Sequence, residues 1–141
     1  MNWFTWSLLS AFFAGLTAIL AKVGVAGVDS NLATAIRTSV ILVFAWAVAG
    51  LSSTPFQLSE ITRRTWMFLV LSGLATGLSW LCYFRALQLG QASRVAPVDK
   101  LSVIFAIVLA AFLLHEKLTW HHWLGGILIL CGAIVIAWQS H

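Results

Sequence analysis

An all-α integral membrane protein, with five transmembrane helices joined by short loops, is the fold class this sequence predicts. Three observations carry that expectation. Of 141 residues, 61% are hydrophobic and 9% charged, and the mean hydropathy is +0.97. An ordinary soluble domain is roughly half apolar and a quarter charged. The apolar residues gather in five runs, each near the roughly 20 residues that carry a helix across the bilayer core. None of the runs has the period-2 alternation of a barrel strand. So apolar a composition excludes a soluble enzyme, a disordered chain and a nucleic-acid-binding domain. Five spans use about 100 residues and leave roughly 40 for loops, which is too few for a separate soluble domain.

The first span is expected over residues 3–21, closing at Lys22 and a turn containing Gly24, Gly27 and Asp29. The leading MNWFTW lacks the basic stretch of a cleaved signal, so this run is expected to stay in the mature protein. The second span covers 32–51. The stretch SSTPFQLSEITRR follows, and Pro55, Glu60, Arg63 and Arg64 mark it as a loop at the membrane surface. The third span covers 66–89, and Gly90 to Ser93 make a tight turn. The fourth covers 95–114. Pro97 suits the first turn of a helix and disfavours helix before it, so this span is expected to begin beside it. After the turn from His115 to Trp120, the fifth span covers 122–138.

Five spans put the two ends on opposite faces. The face with the 52–65 loop and the 115–121 turn carries Arg63, Arg64 and Lys117. The other face carries Lys22 and Arg94, with Arg37, Arg85 and Lys100 just inside the membrane. Orientation follows the Lys and Arg of short loops, and here they are almost balanced. Trp3, Trp6, Trp66, Trp120 and Trp123 lie at span ends on the first face, as an interfacial aromatic belt requires, and Trp138 lies at the opposite edge. Trp46 and Trp80 lie deeper and are candidates for a cavity wall. Small residues recur at helical spacing, as in the Gly73/Gly77 pair, and suit close helix contacts within one bundle or at a dimer seam. Cys82 and Cys131 fall in apolar runs and read as inert buried thiols. No metal site or cofactor is expected, since His115, His121, His122 and His141 match no metal-ligand spacing.

Four charged residues fall inside the spans: Arg37, Arg85, Asp99 and Lys100. Each costs about 2.5–3.5 kcal/mol at a span's centre on insertion scales, so such residues are functional candidates by default. Three spans bring them toward one membrane level, with three positive charges against one negative. With Trp46, Trp80 and Tyr83 as walls, they form the candidate substrate-binding set. The surplus of positive charge suits an anionic or zwitterionic ligand. Structural alternatives exist. Arg37 and Arg85 have the length to snorkel to the interface, and Asp99 suits the first turn of a helix.

The stretch YFRALQLGQASRVAPVDKLSVIFAIVLAAFLLHEKLTWHHWLGGILILCGAIVIAW resembles EamA-type members of the drug/metabolite transporter superfamily. Ala86, Leu87, Gly90, Ala96 and Pro97 match the entry to that repeat's fourth helix. Glu116, Lys117 and Leu118 match its E-K/R-L turn, and Trp123, Gly125 and Gly132 match its fifth helix. His115 departs from the pattern, where relatives commonly have glycine. Such proteins commonly join two inverted five-helix repeats, and this chain has one. The resemblance therefore implies a half-size transporter, one repeat of an inverted-repeat architecture, with a substrate path between two repeats and no catalytic residues.

On this basis the expected protein is a multi-pass inner-membrane transporter. It moves a small amino-acid-like metabolite, anionic or zwitterionic, by alternating access as a homodimer. The balanced Lys and Arg point to insertion in both orientations and an antiparallel pair. Its expected partners are a second copy, membrane lipids and the substrate. A lipid or lipid-linked-sugar flippase, and a non-transporting subunit of a membrane complex, are the competing readings.

Overall fold

The structure is a computed structural model, described over residues 2–51 and 61–138. Every described element is helical: α1 (Trp3–Gly24), α2 (Ser30–Leu51), α3 (Arg63–Leu89), α4 (Ala92–Asp99), α5 (Ser102–Leu113) and α6 (Trp120–Ala137). They supply five stretches long and apolar enough to cross a membrane, with α4 and α5 together forming the fourth, Ala92–Leu113. In each, a helix is the form that satisfies every backbone group without water. The loop centred on Pro55 lies outside the described residues, except for its last part.

Polar residues at the helix starts supply the caps. The Asn2 side-chain oxygen accepts the Thr5 amide of α1 at 3.0 Å. Asp29 Oδ1 accepts the Asn31 and Leu32 amides of α2 at 2.9 and 3.0 Å. The Thr62 hydroxyl accepts the Thr65 amide of α3 at 3.2 Å. At α6, Thr119 and His122 form a reciprocal capping box, in which the Thr119 amide donates to His122 Nδ1 at 3.1 Å. Each cap satisfies amides that the helix itself leaves open. Within the spans, Thr34, Thr38 and Thr76 donate their hydroxyls to carbonyls one turn earlier, at 2.8–2.9 Å. That keeps polar side chains compatible with an apolar surrounding.

Two turn residues take left-handed backbone. Gly27, in the turn between α1 and α2, has φ 77°, a conformation glycine adopts without strain. His115 has φ 55° just after α5, where a helix end commonly places glycine. The turn is closed by the Glu116 amide, which donates to the Ala110 carbonyl at 3.3 Å.

The fourth span corrects the expectation drawn from Pro97. The helix starts at Ala92, where the Gln91 carbonyl accepts the Arg94 and Val95 amides, and Pro97 lies inside α4. Without an N–H, Pro97 withholds the bond that the Ser93 carbonyl would accept. The chain then tightens: the Leu101 amide bonds to Val98, Val103 to Lys100 and Ile104 to Leu101, all at 3.0 Å. These three-residue steps break the span between α4 and α5. Asp99 is therefore the last residue of α4 and Lys100 its cap, rather than first-turn residues. Lys100 lies eight residues into the span, roughly 12 Å along it.

Contacts group the chain into two compact units, Met1–Leu20 with Leu89–His141, and Ala21–Gln88. In the first, α6 packs on α4 and α5. Gly126 is buried there, and a Cβ added to it would touch Ile107 at 3.9 Å. An apolar cleft of about 90 Å³ lies beside it, lined in part by Ile104, Trp123 and Leu130. In the second unit, Ala21, Val25, Ser30, Thr34, Phe84 and Leu87 are buried, and Leu87 and Val25 are the most shielded.

Little else is covered. At most 11% of any span's apolar window is buried. Cys82 and Cys131 are free and exposed, which corrects the expectation of buried thiols. A Cβ added at Gly73 or Gly77 meets nothing within 4 Å among the described residues. The tryptophans of the expected belt are exposed, Trp3, Trp120 and Trp138 at 71–80%. Faces this apolar need lipid or further helices against them.

Candidate functional site

Arg37 is the residue around which the second unit builds a site. The Asp29 cap fixes the start of α2, and Arg37 lies seven residues beyond Ser30, roughly 10 Å along the helix. Its side chain turns onto α3. The guanidinium carbon sits over the Trp80 ring at 4.3 Å and over the Phe84 ring at 5.5 Å. These rings lie roughly 13 and 8 Å back from the end of α3 at Leu89. The guanidinium is thus held within the span on two ring faces, not extended to the helix end.

Trp80 and Phe84 share one face of α3 because they are four residues apart. Phe84 is buried and stacks edge-on with Tyr83, at a centroid distance of 6.5 Å. Tyr83 is half-buried. Phe84 lies outside the sequence-predicted set and is added by the structure. The i, i+4 spacing from Trp80 was the sequence signal for it.

The magnitudes show what the rings leave undone. A charged side chain in a span costs about 2.5–3.5 kcal/mol. A cation–π contact returns about 0.5–2 kcal/mol. Arg37 carries five N–H donors, and a ring face gives them no oxygen. Asp29 is the one carboxylate among the unit's described residues, and its Oδ1 takes the α2 amides.

The neighbouring cations have other tasks. Lys22 Nζ donates to the Leu87 carbonyl at 2.5 Å, capping the end of α3. Arg85 is exposed and donates to Gln88 Oε1 at 2.9 Å. Gln88 Nε2 in turn donates to the Val28 carbonyl at 2.7 Å. This chain of contacts ties the end of α3 to the turn between α1 and α2. Arg85 reaches one turn toward its helix end, as a snorkelling arginine does.

Trp46 lies nine residues beyond Arg37, roughly 14 Å along α2 and half a turn round it, and is 55% exposed. The structure does not bring it to the Arg37 cluster. Asp99 and Lys100 belong to the other unit. Their side chains are partly exposed and 3.9 Å apart, a loose pair between neighbours in sequence. Of the candidate residues, Arg37, Trp80 and Tyr83 form one group, with Phe84 added.

The chain matches the EamA-like transporter family over residues 1–138. It is 53% identical to a Sinorhizobium sp protein described as an uncharacterized transporter in the cobO 3′ region, over 96% of both chains. Two shorter similarities are to proteins named "Probable 4-amino-4-deoxy-L-arabinose-phosphoundecaprenol flippase subunit ArnE". One, from Pseudomonas fluorescens, is 27% identical over 65% of this chain and 79% of its own. The other, from Enterobacter sp., is 32% identical over 52% of this chain and 69% of its own. No solved structure matches the chain.

Proposed function

This multi-pass membrane protein belongs to the EamA-like transporter family, and from that premise we propose that it moves a small anionic or zwitterionic metabolite across the inner membrane as a homodimer. The observation that carries the substrate charge is Arg37, a cation held in a span on Trp80 and Phe84 and unmatched by a carboxylate among the described residues of its unit. A cationic solute would meet like charge there; an anion or the carboxylate end of an amino acid meets an opposite one. The thinly buried spans support assembly, since a second five-span copy covers apolar faces and supplies the other half of an inverted-repeat path. Alternating access then follows from rocking of one copy against the other.

A flippase is the second reading, favoured by the names of the ArnE relatives. There the ligand would be a lipid-linked sugar entering between helices. A subunit role in a larger complex is the third, favoured by the word "subunit" in the same names.

Reconstitution into vesicles separates the three. The purified protein alone should accelerate uptake of labelled acidic or zwitterionic metabolites over protein-free vesicles. Movement of a labelled lipid phosphate between leaflets, without solute uptake, would replace the transporter with the flippase. Inactivity in both assays, with activity restored by a different copurifying membrane protein, would favour the subunit.

A further inference from the structure

Near the end of α3 the polar side chains of the second unit are engaged with one another or with backbone. Lys22 holds the Leu87 carbonyl, Arg85 holds Gln88, and Gln88 holds the Val28 carbonyl. Arg37 differs, because its guanidinium rests on two ring faces, those of Trp80 and Phe84. The rings hold the guanidinium in place and stabilise its charge. Among the described residues they leave its donors, set in a planar fork, without an oxygen acceptor. An oxyanion suits those donors by chemistry: two parallel N–H···O bonds match the fork of a guanidinium to the two oxygens of a carboxylate or phosphate.

We propose that Arg37, held by Trp80 and Phe84, is an oxyanion-binding group within the membrane span that takes a carboxylate or phosphate oxygen pair of the ligand. The proposal rests on reading the chain as a carrier of an anionic or zwitterionic ligand. It narrows the charged set to one residue: the ligand's anionic group is bound by Arg37, while Lys22 and Arg85 serve the end of α3. Trp80 is a positioning residue, since it sets where the fork lies and touches the ligand only through Arg37. Planarity matters as well as charge, so lysine is a poor substitute. The oxyanion has two sources, a water-soluble metabolite or a lipid head group, and the two require different probes.

The test uses the purified protein in nonionic detergent at matched ionic strength. Sodium citrate and sodium pyrophosphate are the soluble probes, and phosphatidic acid in mixed micelles is the lipid probe. Binding is read from the rise in unfolding temperature with concentration, since a ligand that binds the folded state stabilises it by mass action. At least one probe should bind the natural protein, and which one binds tells the source. Arg37→Ala should weaken that binding about tenfold or more, and Arg37→Lys should weaken it less. Trp80→Leu should weaken it and Trp80→Phe restore it, a rescue that general damage to the fold does not produce. If Arg37→Ala fails to fold, Arg37→Lys and the Trp80 pair decide. Binding to none of the probes, or equal binding by the natural protein and the Arg37 variants, overturns the site. Vesicle uptake measured in parallel keeps the two levels apart. Arg37-dependent binding without transport supports the site and contradicts the transporter. Transport unchanged in Arg37→Ala overturns the site and leaves the transporter standing.

Discussion

Leu87→Ala is expected to destabilise the protein by roughly 2–5 kcal/mol, the range for emptying a well-packed leucine site. Leu87 is 0% exposed, in a unit with few buried side chains. Its carbonyl is also the acceptor for Lys22, so a shift of α3 at this point loosens the cap as well. Leu78, on the same helix, is 66% exposed and should tolerate alanine within about 0.5 kcal/mol, as surface substitutions away from special features do. Thermal unfolding in detergent, followed by helical circular dichroism, checks the pair. Equal losses in the two variants would show that Leu87 is not the centre of this unit.

The second large effect is expected from fixing the orientation of the chain. Lys and Arg in short loops set insertion, and here the two faces are nearly matched, so a few added lysines should decide it. Glu116, His121, Gln91 and Ser93 are all exposed. Glu116→Lys with His121→Lys adds positive charge to one face. Gln91→Lys with Ser93→Lys adds it to the other. Each double variant expressed alone should insert one way and lose transport. Expressed together they should regain it, because an antiparallel pair can form again. If either double variant transports at the natural rate alone, the working assembly does not need opposite orientations.

The spans were legible because length and hydropathy suffice to mark a bilayer crossing, whatever the contacts made inside it. Arg37 and Trp80 were legible for a related reason: an arginine in an apolar run is costly enough to stand out. What the sequence did not disclose is facing. In α2 the half beyond Ser39 is apolar all round, so it gives no direction for Trp46, which lies deep in the span as Arg37 does but half a turn away from it. Phe84 is one of nine phenylalanines, and its spacing from Trp80 is what sets it apart in the sequence. Pro97 points to a span that begins beside it, yet the helix begins five residues earlier, at Ala92. In α4 the backbone accommodates Pro97 and tightens after it. The contacts of Lys22 with Leu87, and of Gln88 with Val28, join residues 60 or more positions apart, and no local pattern announces such pairs.

The function proposed above turns on one five-span chain supplying both halves of a transport path by inserting in both orientations. The most direct measurement fuses to its C-terminus, in parallel, a reporter active only inside the membrane and one active only outside it. Substantial activity from both fusions, at comparable expression, is the result that an antiparallel homodimer predicts. Activity from one fusion alone would contradict it and require a parallel dimer or a different protein as the second half.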